Sequence, residues 1–201
     1  ETLPLPLFEL VALLVAMTSV VALAIDMMLP ALDDIAGDLG VAQANDQQFV
    51  ITSYLAGFGA AQLFYGPLSD RFGRKPVIIW SLVFFILMSV ICTFSPSYSL
   101  LLAARFFQGA AAAACRVIGV AIARDLTSGR RMAEVMSMVM TAFMAVPVLA
   151  PTLGQIILTF APWRWVFGFL ILFGIGLIAW LHMRLPETLH PEYRVPLRLK
   201  S

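Results

Sequence analysis

The stretch "GPLSDRFGRKP", Gly66 to Pro76, places Asp70, Arg71, Arg74 and Lys75 within six positions. On either side the chain is free of charge: "FVITSYLAGFGAAQLFY" (49–65) precedes it and "VIIWSLVFFILMSVICTF" (77–94) follows. Each run approaches the ~20 residues that an α-helix needs to cross ~30 Å of hydrocarbon. A dense charge cluster between two such runs therefore marks a short, water-facing turn between two membrane spans.

The rest of the chain extends this reading. Of 201 residues, 61% are hydrophobic and 12% charged, and the mean hydropathy is +0.91. A soluble domain is typically ~45–50% apolar and ~25% charged. A soluble fold of this length could not cover so much apolar surface with polar groups, so lipid is the solvent that fits. Six stretches qualify as spans: 8–29, 49–66, 77–95, 99–123, 133–158 and 164–184. They are helical, because lipid offers no partner to an open backbone and the runs lack the alternation of barrel strands. "SPSYS" (95–99) and "APW" (161–163) are such short joins that the spans they connect must be antiparallel neighbours.

Charge sorts the loops by side. Arg71, Arg74 and Lys75 follow span two, Arg124, Arg130 and Arg131 follow span four, and Arg184, Arg194, Arg198 and Lys200 follow span six. The other loops hold only Arg164, and the first of them, "ALDDIAGDLGVAQANDQQ" (31–48), is acidic. The positive-inside rule places the basic loops and both ends of the chain in the cytoplasm. A net charge of +1 implies no polyanionic partner such as nucleic acid. Cys92 and Cys115 lie within apolar runs and read as reduced, small hydrophobic residues; they make no metal pattern. The first run is too long for a signal-peptide core. No phosphate-binding GxxxxGK, no GxSxG, no HExxH and no TVGYG filter occurs. The chain is expected to be neither an enzyme nor an ATP-driven motor, and to need no metal or other cofactor.

Charged groups within spans are costly, at least ~2.5–3.5 kcal/mol at mid-membrane, and are candidates for function. Asp26 on span one and Arg105 and Arg116 on span four stand out. Arg105, Gln108, Ala112 and Arg116 fall at offsets 0, 3, 7 and 11, which share one helical face over about 16 Å of rise. Thr18, Ser19, Ala22 and Asp26 share a face of span one. Asp26 and Arg105 lie at similar depth with opposite charge, so a direct or water-bridged pair is expected. Asp26 also admits reading as an interfacial acid, and Arg105 as a clamp on backbone carbonyls. Glu9 reads as interfacial, Met132, Met136, Met138, Met140 and Met144 as packing, and Trp163 and Trp165 as interfacial anchors. Pro147 and Pro151, with Gly154 beyond, bend span five.

The opening stretch carries one feature beyond topology. An acid among three bases weakens the positive-inside signal, and Gly66 and Gly73 bracket it. "GPLSDRFGRKP" resembles the signature loop G-x-L-x-D-R-x-G-R-K of the major facilitator superfamily, between its second and third spans, at every fixed position. "RFFQG" (105–109) is similar to that superfamily's R-x-x-x-G element. "AVPVLAPTLGQ" (145–155) resembles its antiporter motif G-x-x-x-G-P-x-x-G-G, with Ala150 for the glycine before proline and Gln155 for the last glycine. "IDMMLPAL" (25–32) resembles the D-x-x-x-P element of drug:proton antiporters, and "RLPETL" (184–189) the start of the linker between halves.

The chain as a whole most resembles the Bcr/CflA family of bacterial drug-resistance transporters, of whose twelve spans it supplies six. The resemblance implies an all-α bundle of two inverted three-helix repeats over 1–190, with 191–201 starting a cytoplasmic linker to a missing second half. It implies proton-driven export of drugs or other small amphipathic molecules across the bacterial inner membrane. Asp26 would take up the proton and Arg105 tune it; Gln108 and Arg116, which the family motif does not require, join them in coupling proton and substrate only through the shared helical face of span four. Gly66, Asp70, Arg71, Gly73, Arg74 and Lys75 would form a cytoplasmic latch on the outward-facing state, and Pro147, Pro151 and Gly154 the antiporter bend. Uptake symport of a metabolite and a non-transporting six-span scaffold are the alternatives. The polar face of spans one and four would meet lipid unless a second half covers it, so the chain alone is expected to be unstable or oligomeric.

Overall fold

The computed structural model describes residues 5–41, 43 and 45–189, and all regular elements among them are helical. The expected linker start at 191–201 lies outside the described residues. The helices are α1 (Leu7–Asp26), α2 (Leu32–Asp38), α3 (Phe49–Phe72), α4 (Arg74–Thr93), α5 (Tyr98–Leu126), α6 (Gly129–Phe143), α7 (Val146–Phe160) and α8 (Arg164–Arg184). Five helical stretches are long and apolar enough to cross a membrane: Leu7–Asp38, Arg74–Thr93, Tyr98–Leu126, Gly129–Phe160 and Arg164–Arg184. α3 has the length, 24 residues or about 36 Å, but its last third holds the charged motif and lowers its hydropathy.

Three expectations change. The stretch 66–76 is not a loop. α3 runs through Gly66 to Phe72, with Pro67 inside it, and α4 starts at Arg74. The whole turn is Gly73, at φ 99° and ψ 155°, a left-handed conformation that a side chain would strain. Gly66 gives no close helix approach, since open space surrounds it. The acidic loop after span one folds, beyond a 3-10 turn at Leu29–Ala31, into α2. Span five is not merely bent but broken between α6 and α7. Pro147 has no N–H to offer the Phe143 carbonyl, and the chain turns at Met144–Ala145, where the Ala145 N–H reaches only to Ala142.

The packing is an exchange between two triplets. Span two (α3) lies on span four (α5), span five (α6 and α7) lies on span one (α1), and span three (α4) pairs with span six (α8). The α3–α5 contact is backbone on backbone. A Cβ at Gly57 would fall 1.8 Å from the Phe106 carbonyl oxygen, and one at Gly109 2.0 Å from that of Tyr54. The two glycines face each other's helix across one crossing, which is how membrane helices gain dispersion contact without a hydrophobic drive. The alanine run Ala111–Ala114 and Cys115 are buried behind it, and Cys92 is buried and also reduced.

Candidate functional site

Arg105 is fully buried within these six spans. Its Nε donates to the Val50 carbonyl at 3.1 Å, Nη2 to the Ala24 carbonyl at 2.9 Å and Nη1 to Gln108 Oε1 at 2.7 Å. Gln108 Nε2 donates onward to Ser89 Oγ at 2.7 Å, and that hydroxyl donates to the Phe85 carbonyl at 2.8 Å. The guanidinium lies over the Tyr54 ring at 4.5 Å and the Phe167 ring at 5.8 Å. One cation thus ties α1, α3, α4 and α5 together at one depth and meets α8 through an aromatic face. The carbonyls and the two quadrupoles replace the water that a buried charge gives up. Only the Tyr54 hydroxyl in this neighbourhood is buried with no hydrogen-bond partner.

No direct Asp26–Arg105 contact is made, the first of the two forms expected of the pair. Arg105 takes the Ala24 carbonyl, two residues before Asp26, so the depth agrees. Successive helix positions are 100° apart, and Ala24 faces the core whereas Asp26 is half-buried on another side of α1. Asp26 has no ion pair or side-chain hydrogen bond among the described residues. Beside it, α7 touches the end of α1: a Cβ at Gly154 would stand 2.4 Å from the Met27 carbonyl oxygen. The helix after the span-five break therefore presses on the backbone next to the acid.

The polar face of α5 is divided. Arg105 and Gln108 are sealed, whereas Arg116 is exposed. Arg116 sits among Leu14 and Thr18 of α1, Gly119, and Met136, Val139 and Met140 of α6. The expectation that Asp26, Arg105, Gln108 and Arg116 together form an open face is thus corrected, because α1 and α3 already cover the first two residues of the α5 row.

At the basic end, Arg74 is the hub. Its Nη1 lies 2.5 Å from Asp70 Oδ1 and donates to Ser69 Oγ at 2.6 Å, while Nε donates to Asp125 Oδ2 at 3.1 Å. Glu187 receives the Arg74 and Lys75 backbone N–H groups at 2.9 and 3.2 Å. These are the orphan amides of the first turn of α4, capped from 113 residues away. Lys75 Nζ donates to the His182 carbonyl at 2.9 Å, near the C-terminus of α8, where a cation suits the helix dipole. Arg71, expected in the same cluster, is exposed and lies over the Phe72 ring at 5.1 Å. Ser69 and Asp70 both reach Arg74, whereas Arg71, a further 100° round α3, points away from it. Glu9 also lies at this end, and Arg184 donates to both its oxygens at 2.6 and 2.7 Å.

The opposite end is fastened by Asp38, which accepts from Trp163 Nε1 at 3.1 Å and pairs with Arg164. The Arg164 guanidinium, then the Trp163 N–H, hold the Asp38 carboxyl below its ordinary value. Trp163, expected as an interfacial anchor, is buried by this contact, while Trp165 is exposed.

Sequence reasoning missed Ser89, Tyr54, Gly57, Asp125 and Glu187. Ser89 was legible as an isolated small polar residue within an apolar span, Gly57 as one of the small residues clustered at 56–61, and Asp125 as an acid beside Arg124. Glu187 gave no local signal, since its partners are far off in the chain.

The Major Facilitator Superfamily profile matches residues 14–198. The "Multidrug resistance protein MdtL" of Escherichia coli (strain K12 / DH10B) is 41% identical over 164 residues, covering 82% of this chain and 42% of that protein. The same protein of Shigella boydii serotype 18 matches equally. The chain thus spans less than half the length of the curated relatives it matches. Among solved structures, the human organic anion transporter MFSD10 (TETRAN) superposes with a TM-score of 0.71 at 23% identity, over 96% of this chain and 50% of that one.

Proposed function

Because this chain belongs to the major facilitator superfamily, a family of multi-pass membrane transporters, we propose that it is the N-terminal half of a proton-coupled exporter of drugs or other small amphipathic molecules, of the Bcr/CflA type. The relatives that it matches are named for multidrug resistance. In this reading the chain lies in the bacterial inner membrane with its basic end cytoplasmic, a second six-helix half completes the cavity, and the proton gradient drives export with no resident cofactor.

The observation that carries the reading is the contact of Gly154 with the Met27 backbone, one residue from Asp26. The broken span five pivots at Met144–Ala145, and its second half, α7, bears on the end of α1. Movement of α7 changes the water and charge around Asp26, and with them its hold on a proton. Arg105 fixes the α1 backbone at Ala24 rather than touching the carboxylate. It is a positioning residue that sets where Asp26 can go. Arg74, Asp70, Asp125 and Glu187 fasten the basic end in the outward-facing state, and opening that end breaks the cluster.

The test is proton-driven drug accumulation, the everted form of export, in everted vesicles carrying the chain with a complementing half. Asp26→Asn is expected to abolish proton-coupled accumulation at unchanged expression. Undiminished accumulation by the variant across several pH values would refute the role of Asp26.

A further inference from the structure

We infer that Arg116 receives an anionic group of the exported molecule, so that this half of the cavity selects amphipathic carboxylates over equivalent neutral or cationic compounds. The inference rests on the export reading above and goes beyond it by naming a substrate class.

α5 carries two arginines within spans, and the fold treats them oppositely. Arg105 has protein acceptors on all three of its nitrogens. Arg116, eleven residues on, is exposed and its side chain has no ion pair or hydrogen bond among the described residues. It lies 18 residues from one end of the 29-residue helix and 10 from the other, about 27 and 15 Å of rise, which is hydrocarbon depth. A charge at that depth calls for an anion.

The surroundings define that anion. Leu14, Val139, Met136 and Met140 are apolar, and the methionines adapt to irregular shapes. Thr18 is the only hydroxyl, and it donates to the Leu14 carbonyl at 2.8 Å, leaving no negative charge in the patch. Asp26 is eight residues along α1 from Thr18, about 12 Å of rise, too far to neutralise Arg116 by contact. A single planar cation in a soft apolar wall matches a carboxylate on an apolar body. The fork takes both carboxylate oxygens, and the body lies on Met136 and Met140. A cationic compound meets repulsion in the same place.

Two probes of matched size test this, dansyl-phenylalanine (a carboxylate) and dansyl-phenylalanine amide (neutral), with ethidium as a cationic control. Dansyl fluorescence reports equilibrium binding to the complete two-half assembly in nanodiscs, and proteoliposomes report export. The expected result is tighter binding and faster export of the acid than of the amide. Arg116→Gln should weaken the acid at least ~10-fold, the scale of a lost charge-assisted hydrogen bond, and leave the amide within about twofold. Arg116→Lys, which keeps charge without the fork, should recover part of the preference. Parallel loss for acid and amide would overturn the inference and make Arg116 a structural partner of an acid in the second half. No preference in the native protein would overturn it too. If ethidium is exported and the acid neither binds nor moves, the substrate class fails while export stands; if none of the three is exported but the acid binds through Arg116, export fails while the site stands.

Discussion

Arg105 and Tyr54 touch, yet removing their polar atoms should have opposite effects. The guanidinium satisfies two carbonyls and an amide oxygen, whereas the tyrosine hydroxyl is buried with no partner. Tyr54→Phe removes an unsatisfied group and keeps the ring that faces the cation, so it is expected to leave stability unchanged or raise it by about 1 kcal/mol. Arg105→Lys keeps the charge but loses the planar fork, cannot reach all three acceptors, and should cost roughly 2–4 kcal/mol. Thermal unfolding in detergent, followed by tryptophan fluorescence, measures both; a stabilised Arg105→Lys would overturn the clamp. A charge on an apolar helix was visible in the sequence, and so was the clamp as one of two readings. The choice between carboxylate and carbonyl partner was not, because it depends on a rotation of α1 that places Ala24 rather than Asp26 against α5.

The elements are held by contacts that allow no side chain and by caps supplied from afar. Gly57 and Gly109 each face a carbonyl oxygen across the α3–α5 crossing. Neither oxygen is the movable end of a side chain, so Gly57→Ala or Gly109→Ala must push the helices apart. Each is expected to destabilise by about 1–3 kcal/mol, more than Gly176→Ala on α8, where open space surrounds the glycine. Equal stability of all three variants in the same detergent would contradict the crossing. For α4, Glu187→Ala should cost about 0.5–2 kcal/mol, the worth of an N-cap, and hydrogen exchange should speed up at the Arg74 and Lys75 amides before other α4 amides. Exchange unchanged at these two positions would mean that the cap is not made in solution. The positions of the six spans were legible from hydropathy and loop charge. The helical extent of α3 through the signature stretch was not, since Gly66 and Pro67 read as turn residues. Pro67 is tolerated because losing one N–H leaves the rest of the ladder intact, and Ser69 Oγ bonds back to the Gly66 carbonyl at 3.0 Å. The break in span five was half-legible: the prolines signalled a bend, but not the turn at Met144–Ala145.

At the scale of the whole molecule, the buried clamp alters what the chain alone should do. Had Arg105 and Gln108 faced outward, six spans in isolation would expose a charged stripe to lipid. Both are internal, and within the spans of α5 only Arg116 is left outside. The purified 201-residue chain is therefore expected to unfold cooperatively in detergent, and Arg116→Leu to raise its midpoint. A broad, non-cooperative transition would show that the bundle needs its complement to fold. Transport by the chain alone is not expected, because a cavity with one wall has no second face to close. Charge and hydropathy could reveal that a polar face existed, but not that neighbouring helices already cover half of it, which is a property of packing between distant segments.

The two polar clusters also differ in when they can form during synthesis. Every hydrogen-bond partner of Arg105 lies earlier in the chain or on its own span: Ala24, Val50, Gln108 and, through Gln108, Ser89. As the ribosome feeds the fourth span into the translocon, the clamp can close at once and gather four spans into a unit. The start of α4 has no such option. Its amides wait for Glu187, which emerges only after the sixth span. The interior clamp can thus close before the basic end is complete, and the cap on α4 is the last of these contacts to become available.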